Sequence, residues 1–535
     1  MANTLKFGNG EWYGKKDTIL AYNDENSNYK PLLFDFSRAS KATRVNKDGL
    51  IEEVGSGQPR VDYLNNTKGA LKLEPSRTNL ITYSEDFPRT YWTKSGATIQ
   101  GNSSTAGSEL VTNGDFATDS DWNKGTGWTI SGGKASSDGS QTSGSYLSQG
   151  LSGVSQNKQY ITEFDIVVTS GSFRFNTLGG NLIVTESGNY TITSTSTSGT
   201  SLFLEAFSDF VGSIDNVSVK EVQGFTSLDG TNNAYKLVEG TNNGGHTAYK
   251  LNASISSGVN YTYSVFVKGT ERVLQMVLSS GFTSNFCNFD LSDGTIGSNN
   301  GLVDSNITSF SNGWYRCDIT ALSNGTSGHL ELILAESKTS SRYTTYQGNG
   351  TSSIYIYGAQ LEAGSYATSY IATSGSSVTR LAESCSQTVP DGVIGQTEGT
   401  IFAEFKIPET ETPSFFSISN GNINNRIIFG YYNGNLAYYV NSSTGSFFTT
   451  GIIDSSPIIG QTYKIAVAYK SNDFKIYKNG INTNTETTFT VPSSLTVIDN
   501  QGGMGVGQYI FAKVKQFSLY NTRLTNSELA ALTQV

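Results

Sequence analysis

Histidine and cysteine are nearly missing from this 535-residue sequence, with two of the first and three of the second. His246 and His329, together with Cys287, Cys317 and Cys385 in no CxxC spacing, cannot assemble the usual zinc sets, and an odd cysteine count does not make a disulfide scaffold. Charge is scarce as well. Lys+Arg 36 against Asp+Glu 45 leaves −9, without a block of either sign, so nucleic acid is excluded as a partner. No apolar run approaches the ~18 residues of a spanning helix, which excludes membrane insertion by that route. The opening MANTLKFGNGEWYGKK has neither a cationic start nor an apolar stretch, so no secretory signal is expected. GxSxG and GxxxxGK[ST] are absent, and the Gly/Thr/Ser-rich text around both histidines reads as loops that would not support a triad base.

What is present is glycine, at 58 residues, and aromatic side chains, at Tyr 29, Phe 28 and Trp 5. Many turns between aromatic, weakly charged strands specify an all-β fold, and the length implies several domains at roughly 150 residues each. The best-patterned stretch is Arg426-IIFGYY-Asn433-Gly434-NLAYYV, two strands around an Asn-Gly pair that tolerates the positive φ of a tight hairpin. A two-residue turn there pairs Tyr432 with Asn435, Gly430 with Ala437 and Ile428 with Tyr439. Ile427, Phe429, Tyr431, Leu436, Tyr438 and Val440 then fall on the opposite, core face. Thr525-Asn-Ser-Glu528 is a capping box that opens one short helix.

An internal repeat lies upstream. Ser84-Glu-Asp-Phe87 with Trp92 parallels Asn113-Gly-Asp-Phe116 with Trp122, and Asn260-Tyr261-TYSVFVKG parallels Gln159-Tyr160-ITEFDIVV. Asn312-Gly-Trp-Tyr matches Ser187-Gly-Asn-Tyr in the same order. The second copy interrupts the first. The expected organisation is an N-terminal attachment or oligomerisation segment at 1–81, a discontinuous jelly-roll sandwich at 82–106 and 223–373, an inserted jelly roll at 107–222, a linker at 374–396 and a further sandwich at 397–535.

FDFSRASKATRVNKDGLIEEV, QPRVDY, LEPSRTNLITYSEDF and IYIYGAQLEAGSYATSYI together resemble a module recurrent in bacteriophage tail-fibre, tail-spike and head-fibre proteins. The inserted NGDF…IDNVSVKE unit is similar to jelly-roll carbohydrate-binding modules, and residues 397–535 resemble the concanavalin A-like, laminin-G-like sandwich. These resemblances imply a subunit on the virion surface, assembled in the host cytoplasm. It would contact a host cell-surface glycan, dock on other virion proteins through its N-terminal segment, and form a homo-oligomer, preferably a trimer. A purely structural or decoration protein, with its lectin-like folds as spacers, is the alternative.

Sugar sites offer aromatic rings for stacking and Asn, Asp or Arg for hydroxyls. Tyr432 and Tyr439 on either side of a Gly430/Ala437 floor would make a ring-sized notch, with Asn435 beside it. Trp122 and Trp128, in Gly-rich loop text, are candidate platforms against a reading as core anchors; Trp314 and Tyr315 read as packing residues. Asp115 and Asp215 resemble the acidic pair that holds a structural calcium in jelly-roll modules. Glu163-Phe-Asp165 puts two carboxylates on one strand face, but the third position of a laminarinase-like Glu-x-Asp-x-Glu strand is Val167. A glycan depolymerase is therefore the least favoured reading, no catalytic residue is assigned, and no cofactor is implied beyond that calcium.

Overall fold

A computed structural model describes the chain except for residues 1–3, 26–27, 103–105, 156–157, 197–199, 284, 408–413, 443–446 and 500–512. Nearly every element is an antiparallel strand, and the buried apolar side chains fall into three large clusters, one for each of three sandwiches. This is the multidomain all-β architecture that composition specifies.

The carboxy-terminal sandwich is organised on the strand Glu398–Lys406, which pairs with Thr462–Lys470 on one side and Lys513–Tyr520 on the other. In its hairpin, Asn433 (φ 47°) and Gly434 (φ 81°) both adopt positive φ, and the register pairs Tyr432 with Asn435, Gly430 with Ala437 and Ile428 with Tyr439. Ile427, Phe429, Tyr431, Leu436, Tyr438 and Val440 all lie in the core. The helix Asn526–Thr533 starts at the capping box of Thr525 and Glu528 and lays Leu529 on Phe402, Ala466 and Tyr520.

Two boundaries are corrected. Residues 1–81 are not a separate segment, because Leu5–Gly8 pairs with Lys513–Tyr520 (Leu5 opposite Leu519, Gly8 opposite Gln516) and Asn28–Ser37 pairs with Ser384–Thr388. Leu5, Phe7, Ile19, Ala21, Phe34 and Phe36 belong to the carboxy-terminal core. Nor is 374–396 a free linker: Val378–Arg380 pairs with Arg77–Asn79, and Ser384–Thr388 also pairs with Val497–Asp499. The physical reason is the edge problem. A sandwich made of 397–535 alone would present an unpaired strand edge and a bare apolar face, and these amino-terminal strands cover both.

The middle sandwich is discontinuous. Thr93–Ser95 pairs with His246–Ser254 and Ala97–Gln100 with Tyr235–Glu239, while Tyr315–Ala335 runs through both of its sheet faces. The interrupting unit carries its own core, including Phe116, Trp122, Trp128, Phe164, Phe173 and Phe210. Its entry and exit strands lie side by side, with Ala106 opposite Val222 and the Asn102 N–H donating to the Gln223 carbonyl at 2.9 Å. A whole unit can be accommodated at such a place because the host loop need not open.

The repeat extends to side-chain detail. Phe87 and Trp92 rings lie 5.0 Å apart, as Phe116 and Trp122 lie 5.1 Å apart, and each indole N–H donates to a carbonyl nine residues upstream, Tyr83 and Asn113. The Tyr160 and Tyr261 hydroxyls each accept from the backbone N–H five residues upstream, Ser155 and Ser256. Tyr463 does the same with Ile458 in the carboxy-terminal sandwich. A buried tyrosine tied back to its own preceding turn fixes the corner at which a strand enters a sandwich.

Candidate functional site

The hairpin notch is closed. Tyr432 and Tyr439 lean over the small Gly430/Ala437 floor until their rings meet edge to face, 5.9 Å between centroids at 87°. That arrangement satisfies the aromatic quadrupoles and leaves no gap for a sugar ring between them. Partial burial, and then the neighbouring Tyr432, raises the pKa of the Tyr439 phenol. The Asn435 amide donates to the Asn433 carbonyl at 2.9 Å, which ties it to the turn.

Trp122 and Trp128 are core anchors, not platforms. They are 7 % and 5 % exposed, and the Trp128 indole N–H points inward to the Ser145 carbonyl at 3.3 Å. Gly-rich flanking text signals a loop, but the burial of so large an apolar surface outweighs it. Trp314 is likewise buried, among Phe266, Tyr357 and Tyr370, and Tyr315 packs at the edge of the middle core. The Asp115 carboxylate accepts from the Ala117 N–H and that of Asp215 from the Asn216 N–H, both local turn contacts. Among the described residues no group of three or more His, Cys, Asp or Glu could hold a metal, so no third carboxylate joins this pair.

The residues suspected of catalysis are occupied. Asp165 accepts from the amides of Asn189 and Asn216, and Glu163 lies two residues before it on the exposed side of the same strand. His246 is not in a loop: it opens the strand His246–Ser254, fully buried, with its ring nitrogens facing the carbonyls of Gly96 and Tyr346. His329 likewise lies within Tyr315–Ala335. Cys287 and Cys385 are buried thiols that desolvation pushes up to about 12, far from nucleophilic.

The inserted unit instead offers the outer face of its second sheet, formed by Ser145–Gly150, Ser201–Ala206, Phe173–Thr177 and Gly180–Val184. Strand alternation sends Leu147, Leu204 and Phe175 inward and leaves Tyr146, Phe203 and Ile183 on the outside, 41 %, 41 % and 58 % exposed. Tyr146 and Phe203 meet edge to face, 5.8 Å apart, as Tyr432 and Tyr439 do, so a sugar would lie on their exposed surfaces and not between the rings. Beside them Arg174 pairs with Glu205, which raises the arginine's pKa, and its guanidinium also reaches the Tyr146 hydroxyl. Asn176 and Asn181 complete the face. Rings next to a fixed ion pair and two amides are what a sugar needs for both of its faces. The alternation in Ser145-Tyr-Leu-Ser-Gln could have revealed Tyr146, whereas Phe203 and Arg174 meet it only through strand pairing.

A second polar constellation lies where the middle and carboxy-terminal sandwiches meet residues 38–80. Glu383, fully buried, accepts from Arg38 (Nη1, 2.7 Å), from Arg60 (Nε, 2.7 Å, and Nη2) and from the Glu74 N–H at 2.9 Å. Glu74 in turn takes Arg60 at 2.8 Å and Arg380 at 2.9 Å. Burial works against the charge of Glu74, but Lys72, Arg380 and Arg60 hold its carboxyl well below the ordinary range. Burial likewise opposes ionisation of Asp62, and Lys72 and Lys513 bring it down to about 2. Arg38, Arg60, Glu74 and, nearby, Glu362 all fall within the phrases FDFSRAS, QPRVDY, LEPSRTN and GAQLEAG, so the words most conspicuous in the sequence are those of a buried ionic junction.

No curated protein sequence matches the chain. Among solved structures it is similar to the CBM40 of Ruminococcus gnavus IT-sialidase bound to α2,3-sialyllactose, at 18 % identity over 26 % of this chain and 84 % of that one, TM-score 0.24. It is also similar to the CBM22-1–CBM22-2 tandem of Paenibacillus barcinonensis Xyn10C (12 %, 49 % and 100 %, TM-score 0.22) and to domains LG4-5 of the mouse laminin α1 chain (11 %, 77 % and 93 %, TM-score 0.20). Residues 381–530 match the concanavalin A-like lectin/glucanases superfamily, a span that takes in the strand Ser384–Thr388, and the carboxy-terminal unit is therefore a lectin-like β-sandwich.

Proposed function

We propose that this protein is a surface fibre or receptor-binding subunit of a bacteriophage virion that binds host-surface glycan without cleaving it. The observation that carries the glycan reading is the exposed Tyr146/Phe203 pair beside Arg174 and Glu205 on the outer sheet face of the inserted unit. The virion reading rests on the sequence resemblance, whose phrases coincide with the buried junction. A homo-oligomer, preferably a trimer, would multiply a weak site of this kind through avidity; native mass measurement decides its stoichiometry. The closed Tyr432/Tyr439 pair supports a second reading, a virion spacer in which lectin-like sandwiches serve only to separate other parts.

A glycan array probed with the intact protein separates the two. Under the first reading a defined set of glycans is retained, and Tyr146→Ala and Phe203→Ala each weaken retention by about 1–3 kcal/mol, roughly 5- to 150-fold. Retention of none would leave the spacer reading, and retention unchanged in both variants would move the glycan site away from the Tyr146/Phe203 face.

A further inference from the structure

Between the middle sandwich, residues 43–74 and the carboxy-terminal sandwich lies a cleft of about 340 Å³. Its charge is opposite to that of the chain. Six cationic side chains and three carboxylates line it, with Glu52 and Glu404 pairing Arg44 and Lys515 from just outside, whereas the whole sequence carries −9. Lys72 stands 3.4 Å and 3.6 Å from the Glu74 and Asp62 carboxylates, Lys513 pairs with Asp62 at 2.7 Å, and Lys515 reaches Glu404 only at 3.6 Å.

Two of its walls also carry polar groups left without partners. The Tyr366 hydroxyl and the Arg316 Nε–H are buried, their residues 6 % and 8 % exposed, and neither finds an acceptor among the described residues. Buried donors are rarely left so, because they forgo the hydrogen bonds that water gave them in the unfolded chain. Two unsatisfied donors beside lysines that share Asp62 or hold their carboxylate only loosely favour an acceptor with negative charge. The volume sits at the small end of ligand sites, with room for roughly one or two sugar rings.

We propose that this cleft binds a small acidic saccharide through its carboxylate or phosphate oxygens, with Tyr366, Arg316, Lys513 and Lys515 facing the anion. The site is separate from the Tyr146/Phe203 face and stands whether or not that face binds sugar. Because its walls come from three parts of the chain, ligand there would clamp them together.

The test is calorimetric titration of the full chain with sodium glucuronate, glucose 6-phosphate, inorganic phosphate and glucose at one ionic strength, since exposed lysines respond to salt. Glucuronate or glucose 6-phosphate is expected to bind at least tenfold more tightly than glucose and to raise the melting temperature; whichever binds tighter identifies the anion. Tyr366→Phe, which removes only the hydroxyl, and Lys515→Gln, at the rim, should each lower that affinity at least threefold while melting as the unaltered chain does. The proposal is overturned if neither acidic sugar outbinds glucose, or if inorganic phosphate alone binds as tightly as the better of them. It is equally overturned if both variants bind normally, or if Tyr146→Ala is the change that abolishes binding.

Discussion

Replacing Glu383 with Gln changes one oxygen to nitrogen at the centre of the buried junction. The carboxylate is inaccessible to solvent and takes donors from Arg38, from two nitrogens of Arg60 and from the Glu74 N–H. Glutamine keeps one acceptor and turns an NH₂ toward groups that can only donate, so two buried guanidiniums lose their principal counter-charge together. Breaking a buried pair on one side costs about 3–5 kcal/mol. A domain's whole stability is about 5–15 kcal/mol. At roughly 2–4 °C per kcal/mol for units of this size, the melting temperature should fall by about 6–20 °C. Scanning calorimetry with parallel urea titration measures it. Glu53→Gln serves as the control, since Lys41–Glu53 is a 2.7 Å pair with side chains 74 % and 55 % exposed, and it should move stability by no more than ~1 kcal/mol. If Glu383→Gln melts within about 2 °C of the unaltered protein, the junction is not under electrostatic load and the reasoning fails.

Four further expectations follow from the same structure. Asp62, with an ordinary value of 3.8 and about 2 in the fold, contributes about 2 kcal/mol that is complete above pH ~4 and is lost as the pH falls toward 2; urea midpoints of Asp62→Asn should accordingly lose part of the acid dependence of the unaltered chain. The excised fragment 397–535 should show no cooperative melting, because it lacks Leu5, Phe7, Ile19, Phe34 and Phe36, whereas deleting 107–222 and rejoining the ends should leave the middle sandwich folded by circular dichroism. Phe429→Ala should cost about 3–5 kcal/mol through the cavity it opens, while Tyr432→Ala, half-buried on the other face, should cost less than half of that in the same denaturation assay.

The hairpin and its faces were legible because everything that sets them is local: an Asn-Gly turn fixes the register, and a period of two assigns each side chain. The capping box at Thr525 is local for the same reason, and the repeat was legible because both copies preserve order and anchoring aromatics. The pairing of Leu5–Gly8 was not, since its partner lies more than 500 residues away and four residues carry too little pattern to name it. Trp122 and Trp128 read both ways because loop-like neighbours describe the backbone, while burial is decided by what packs against the ring; the matching place of Trp92 pointed to the core. Arg38, Arg60 and Glu74 were visible as motif letters but not as a site, and Glu383 stood in no motif at all. Charged residues are ordinarily solvated, and only the meeting of distant segments buries these.

Closure of the carboxy-terminal sandwich by Leu5–Gly8 also sets a schedule for synthesis. The inserted unit is contiguous and can fold once residue 222 has left the ribosome, and the middle sandwich once 363 has. Leu5 and Phe7 must wait for Phe517 and Leu519, which at ~5–20 residues per second is about 25–100 s of translation. Throughout that interval the first strand can pair only with Thr18–Glu25, and its other edge stays open on the nascent chain, exposed to neighbouring copies on the same message. In a protein made in many copies at once, that delay favours early contact between chains, before any of them has sealed itself.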